Sequence, residues 1–194
     1  MVIRYIIQGL WLALLAYWLI GALRIKPAKQ IEAPASRFSR MTLTILVFAF
    51  LLSPRGRFGW LGERFIPRSE LAAVSGAIAT AMGVGLAAWA RYALGSNWSA
   101  AITLKESHEL IRGGPYARIR HPIYSGVLLG LLGTALAMGE WRALVAVAVM
   151  FASYLAKAHR EDSVLACEFG AAFQEHLRRT GTFLPRFSEP PPRP

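Results

Sequence analysis

Residues Leu71 to Ala90, LAAVSGAIATAMGVGLAAWA, run for twenty positions without a charged side chain. Twenty apolar residues wound as a helix cover the roughly 30 Å hydrocarbon core of a bilayer. A helix apolar on every side has no water-facing stripe, so it belongs in lipid or deep inside a large protein. With 17% charged residues the chain has too little polar material to build a water-facing shell around it. The stretch reads as a transmembrane span.

Further spans lie on either side of it. Val2 to Leu23 is broken only by Arg4 and Gln8. It exceeds the 7–15-residue apolar core of a signal peptide, its basic residues follow it, and no Ala-x-Ala site closes it, so it reads as a retained helix. Pro122 to Met138 and Ala143 to Ala156 are both uncharged and are separated by Gly139-Glu140-Trp141-Arg142. That pattern predicts a tight helical hairpin with its turn at the membrane interface. Met41 to Leu52, ahead of Ser53-Pro54, is too short to cross unaided. It is a short helix, a tilted one that borrows from Phe58 to Ile66, or a re-entrant segment. The expected architecture is an all-α polytopic membrane protein with about five transmembrane helices. Small residues recur every four positions at Ala73, Ala77, Ala81 and Gly85, and again at Gly126, Gly130 and Thr134. These are the expected helix-packing seams.

Composition agrees. Hydrophobic residues make up 55% of the chain and charged residues 17%, against about 25% in soluble domains. A formal net charge of +11 sits on this apolar background. Its basic residues fall in short gaps between apolar runs instead of forming one folded polar face, which favours membrane lipids as partner and argues against nucleic acid. Of the 22 Lys and Arg residues, 16 lie between the first and second spans, between the third and fourth, or after the fifth. The positive-inside rule then predicts an external N-terminus, a cytoplasmic C-terminus and a cytoplasmic face that carries most of the polar sequence. The single cysteine, Cys167, excludes an internal disulfide and is expected to be a small buried apolar residue.

Several superficial motifs carry no chemistry. Gly83-Val84-Gly85-Leu86-Ala87-Ala88 fits a loose dinucleotide fingerprint but lies inside an uncharged span with no preceding strand. The sequon Asn97-Trp98-Ser99 falls on the expected cytoplasmic side. His108, His121, His159 and His176 lack zinc-ligand spacing, so no metal is expected.

Two segments on the expected cytoplasmic face remain. The first runs from His108 through Gly113-Gly114-Pro115-Tyr116 to Arg120-His121-Pro122-Ile123-Tyr124. Pro122 suits the first position of a helix, and the unpaired N–H groups there favour a carboxylate or phosphate. Arg120 and His121 stand just ahead of that end. Gly113-Gly114 permits a turn that folds the His108 strip back over it. The second segment, Lys157 to Gly170, has Lys157 and Glu161 one helical turn apart. The plainer readings, a basic interfacial anchor and a snorkelling lysine, account for the same residues.

The pattern Gly114-x-Tyr116-x-x-x-Arg120-His121-Pro122-x-Tyr124, then an apolar hairpin, then Glu161-Asp162-x-x-Leu165-x-x-x-Phe169-Gly170-x-x-Phe173, resembles the isoprenylcysteine carboxyl methyltransferase family and its relatives, the membrane phospholipid methyltransferases. Leu94 to Ser99, Thr180-Gly181 and Leu184-Pro185 are similar to prokaryotic members. The resemblance covers about the C-terminal half. It implies N-terminal spans over residues 1–93, a catalytic region over 94–187 and a Pro-rich tail over 188–194. It also implies S-adenosyl-L-methionine as cofactor, held at the cytoplasmic face by His108, Glu109, Leu110, Ile111, Tyr116, His121, Pro122, Ile123, Tyr124 and Glu161. Arg120 is added for the methionine carboxylate. The acceptor would be a lipophilic carboxylate or a lipid, with Lys157 and Arg160 positioning an anionic group and Glu161 or His159 assisting an amine. Two departures stand out. Lys157 replaces the usual Arg and loses its bidentate fork, and Asp162 replaces the usual Glu. The alternatives are a sterol-type reductase using NADPH, whose family shares an Arg-His-Pro-x-Tyr-like segment, and a non-enzymatic membrane scaffold.

Overall fold

A computed structural model of the chain describes residues 2–22, 29–30, 34–53, 59–95, 103–104 and 110–187. Helices dominate them: α1 (Val2–Ala22), α2 (Pro34–Leu52), α3 (Glu70–Leu94), α4 (Pro122–Met138), α5 (Trp141–Phe169) and α6 (Ala171–Arg179). A two-residue antiparallel ladder pairs Lys29 with Leu104 and Gln30 with Thr103. The protein is an all-α membrane protein. Three helices, α1, α3 and α5, are long and apolar enough to cross a bilayer; α4 is a shorter apolar helix. All five expected spans are helices. α2 reaches its 19 residues by extending backwards from Met41 to Pro34, through Arg37 and Arg40, and ends at Leu52, ahead of the stretch from Phe58 to Ile66. Within that later stretch, Gly59–Gly62 forms a separate 3-10 turn.

α3 and α4 form the closest pair. A Cβ placed on Gly133 would lie 2.5 Å from the Thr80 amide nitrogen, and one on Gly126 would lie 2.5 Å from that of Ala87. The α3 seam is therefore Gly76, Thr80, Gly83 and Ala87, all buried. This corrects the expected seam: Ala81 and Gly85 face outward, and a Cβ placed on Gly85 would meet nothing within 4 Å. On α4 the expected Gly126, Gly130 and Thr134 are all buried. Thr80 Oγ1 donates to the Gly76 carbonyl at 2.9 Å, and Trp11 of α1 donates to Thr134 Oγ1 at 3.1 Å. In lipid such bonds give hydroxyl and indole groups the partners that water would otherwise supply. Phe48 of α2 meets Trp11 edge-on at 4.8 Å, completing a core around Trp11, Leu51, Leu131 and Met150.

The hairpin turn at the far end from the candidate site is tied down. Gly139 adopts a left-handed φ of 63° as it closes α4. Arg64 donates to the Met138 carbonyl at 2.7 Å. Arg142, almost fully buried, pairs with Glu140 at 2.7 Å and donates to the Phe50 and Ser53 carbonyls. A guanidinium thus satisfies carbonyls that the end of α2 leaves without helical partners.

α5 runs 29 residues, about 44 Å, well beyond a bilayer core. The charged stretch after Ala156 continues the helix until Gly170, whose φ of 49° ends it. Cys167 lies on this projecting part and is exposed, contrary to the expected burial.

Candidate functional site

The start of α4 and the projecting part of α5 meet, and their charged side chains form one connected set. His121 immediately precedes α4 and makes no capping bond with its side chain. Its imidazole lies between two adjacent carboxylates of α5. Nδ1 is 3.3 Å from Glu161 Oε2, and Nε2 is 3.0 Å from Asp162 Oδ1. Burial pulls the ring towards its neutral form, but hydrogen bonds with Asp162 and Glu161 outweigh it and hold the imidazole above the usual histidine range. With both ring nitrogens facing acceptors, the doubly protonated ring matches this arrangement.

Each carboxylate has a second cation. Asp162 Oδ2 accepts from Arg120 Nε at 3.2 Å, and Glu161 Oε1 lies 3.6 Å from Lys157 Nζ. The Tyr124 hydroxyl donates to both Glu161 oxygens, at 2.8 and 2.9 Å. Tyr124 stacks between His121, at 5.4 Å, and Tyr154, at 4.7 Å, and Lys157 Nζ sits 5.3 Å from its ring centroid. These contacts align α4 and α5 across their facing ends.

A cleft opens beside this set. Leu94, Leu110, Ile111, Leu165 and Phe173 give it apolar walls, and Tyr116, Arg120, His121, Asp162 and His176 give it polar ones. Tyr116 sits in the 3-10 turn Gly114–Ala117, which Gly114 enters with a φ of 58°. Burial and the nearby Glu161 charge keep its phenol protonated. His176 comes from α6, where burial and the charges of Arg112 and Arg120 push its ring down to about 4. It is neutral at physiological pH. Arg112 bonds the Ala172 carbonyl at 3.0 Å and holds the Leu110–Arg112 strip against α6.

The structure brings together Leu110, Ile111, Tyr116, Arg120, His121, Tyr124, Lys157 and Glu161 from the expected set. Pro122 is fully buried at the start of α4, and Ile123 is half-buried beside it. Arg160 stays outside the set: it is exposed and reaches Ser36 Oγ of α2 at 3.4 Å. His159 is exposed as well. His108 and Glu109 lie outside the described residues, as do the sequon at Asn97–Ser99 and the tail from Glu189. Asp162, Leu165, Phe173 and His176 were not singled out as site residues from sequence. The signal for Asp162 was its adjacency to Glu161, which becomes meaningful only with a two-faced partner such as His121. Phe173 and His176, three residues apart, lie on the buried face of α6. Among the described residues no group of three or more His, Cys, Asp or Glu side chains is arranged to hold a metal ion.

The structure is an all-α membrane protein with a charged, partly apolar cleft at the ends of its helices. The chain belongs to the phospholipid methyltransferase family, whose model matches residues 71–172, more than half its length. It is 42% identical over 110 residues to the cobalt-zinc-cadmium resistance protein CzcN of Cupriavidus metallidurans, covering 55% of this chain and 48% of that protein. It is 37% identical over 108 residues to the nickel-cobalt-cadmium resistance protein NccN of Alcaligenes xylosoxydans xylosoxydans, covering 54% of this chain and 50% of that protein. The chain thus aligns with about half the length of the curated relatives it matches.

Proposed function

We propose that this protein is an S-adenosyl-L-methionine-dependent methyltransferase acting on a lipophilic acceptor. The observation that carries the reading is the joined set His121–Glu161–Asp162–Arg120 beside an apolar cleft, inside a segment that belongs to a methyltransferase family. The residues present fit the cofactor. Leu110, Ile111, Leu165 and Phe173 offer an apolar wall for the adenine, Asp162, with Glu161 next to it in the chain, offers acceptors for ribose hydroxyls and the ammonium, and Arg120, whose Nη1 and Nη2 each keep a second N–H, offers a cation for the methionine carboxylate. When bound, S-adenosyl-L-methionine supplies a methyl group already activated by its sulfonium.

The chain's own task is then to bind, orient and exclude water. Tyr124, Tyr154 and Phe183 back the carboxylate set with aromatic surface on the side facing Phe151, itself exposed on α5. A lipid chain lying against Phe151 would bring its head group towards Lys157 and Glu161. Lys157 orients an anionic head. A carboxylate acceptor is ionised at neutral pH and needs no base, whereas an amine acceptor would have to arrive deprotonated, because, against the pull of burial, His121, Lys157 and Tyr124 hold Glu161 ionised. The charge pattern supports a site on the cytoplasmic face, with the N-terminus outside.

Thermal shift of the purified protein tests the cofactor. S-adenosylhomocysteine is expected to stabilise it and NADPH to leave it unchanged; stabilisation by NADPH alone would reverse the reading in favour of a reductase. Radiolabelled methyl transfer into extracted membrane lipids then identifies the acceptor class. The names of the two relatives add a cellular setting. A strain lacking the gene is expected to lose tolerance to cobalt, zinc or cadmium, and parental tolerance would remove that setting.

A further inference from the structure

The segment Thr180–Phe187 lies beyond the family-matched residues, yet it is bound to the heart of the site. Arg120 N donates to the Gly181 carbonyl at 2.9 Å, His121 N to the Thr182 carbonyl at 3.1 Å, and Gly181 N and Arg186 N both return to the Arg118 carbonyl at 3.1 Å. Ser125 Oγ donates to the Phe183 carbonyl at 2.7 Å, and the Phe183 ring meets His121, Tyr124 and Phe151 edge-on. This strap holds the backbone of both residues that precede α4.

It also holds a side chain. The three nitrogens of the Arg120 guanidinium each have an acceptor: Nε on Asp162 at 3.2 Å, Nη1 on the Thr180 carbonyl at 2.6 Å and Nη2 on Thr182 Oγ1 at 2.6 Å. A planar fork held at two corners can present its third in one direction only. That direction is Asp162, whose other oxygen faces His121. The connections therefore run from Thr182 through Arg120, Asp162 and His121 to Glu161, and end on Tyr124 and Lys157.

We propose that Thr182 is a positioning residue for the methyl-transfer site, setting the Arg120 fork so that Asp162 and Glu161 hold His121 between them. The inference rests on the function proposed above for its catalytic meaning, but not for its geometry. The Thr182 hydroxyl reaches the carboxylates and the His121 ring only through the Arg120 fork, while its carbonyl separately accepts from the His121 amide, a bond that a side-chain substitution leaves in place. The charged or titratable groups around His121 are Glu161 and Asp162 from α5, Tyr124 from α4, Arg120 from the preceding loop, His176 from α6 and, through Glu161, Lys157.

The test uses the full chain in detergent, with histidines labelled by nitrogen-15 and His121 assigned by the signal lost in His121→Gln. In Thr182→Val the His121 titration midpoint is expected to fall and S-adenosylhomocysteine affinity to drop roughly tenfold, the usual scale for losing one hydrogen bond to a charged group. Thr182→Ser, which keeps the hydroxyl, is expected to restore both. An unchanged midpoint in Thr182→Val overturns the assignment, and so does a Thr182→Ser protein that behaves like Thr182→Val. Thr182→Ala serves where Thr182→Val fails to fold; loss of folding in both overturns the assignment, because the residue would then support the fold and not the site. Wild-type protein that binds no S-adenosylhomocysteine would refute the proposed function, while the His121 midpoint would still judge Thr182.

Discussion

His121 sits between two carboxylates, and the charge on its ring sets how the site answers to pH. Its folded value lies above the ordinary one of about 6.5. The stabilisation it gives is therefore complete below about 6.5 and fades as pH climbs through the folded value. His176 has the opposite sign: its folded value of about 4 lies below the ordinary one, so its stabilisation is complete above about 6.5 and is lost as pH falls towards 4. Thermal melts in detergent are expected to peak between these windows. His121→Gln should remove the alkaline decline and His176→Gln the acid one; an alkaline decline that persists in His121→Gln would contradict the arrangement. Glu161→Ala is expected to abolish S-adenosylhomocysteine binding by calorimetry, and wild-type affinity would remove Glu161 from the site. Tyr124→Phe deletes one donor to a charged acceptor inside the protein and is expected to cost about 1.5–3 kcal/mol of stability, read as a lower thermal midpoint.

Among the elements, α3 and α4 pack by glycine. Gly133→Val puts side-chain atoms where the Thr80 backbone lies and is expected to lower the thermal midpoint, on the scale of about 1–3 kcal/mol for overpacking. Gly85→Ala fills open space on the outward face of α3 and is expected to be neutral or to gain about 0.5–1 kcal/mol from helix propensity. Equal effects from the two substitutions would return the seam to the face carrying Gly85. Periodicity alone did not separate these faces, because both are lined with Ala and Gly at spacings of three and four. α5 shows the converse limit. Its apolar run ends near Ala156, but charge does not stop a helix, and the next backbone signal for termination is Gly170.

For the whole molecule, orientation is the outstanding proposal, and Cys167 offers a direct measurement. It is the single cysteine and it is exposed, on the part of α5 that projects beyond the spans. A membrane-impermeant maleimide is expected to label it in inverted vesicles and to leave it unlabelled in intact spheroplasts. The reverse pattern would put the site on the outer face.

Apolar run length by itself determined that this is a helical membrane protein and where the helices of its first, third and fourth apolar runs lie, because the bilayer admits few backbone solutions and hydropathy reports them directly. The same sequence marked His121, Tyr124, Lys157 and Glu161 as candidates, because polar residues are conspicuous at the ends of apolar runs. Only the tertiary structure decided which of those charges meet. Arg160 neighbours Glu161 in sequence yet points to α2, since successive helical residues lie about 100° apart. Asp162 joins the site because α4 delivers His121 between it and Glu161. Thr182 reaches Arg120 across 62 positions because the strap folds back along the start of α4. Such pairings depend on chain reversal and side-chain direction, and no local pattern carries them.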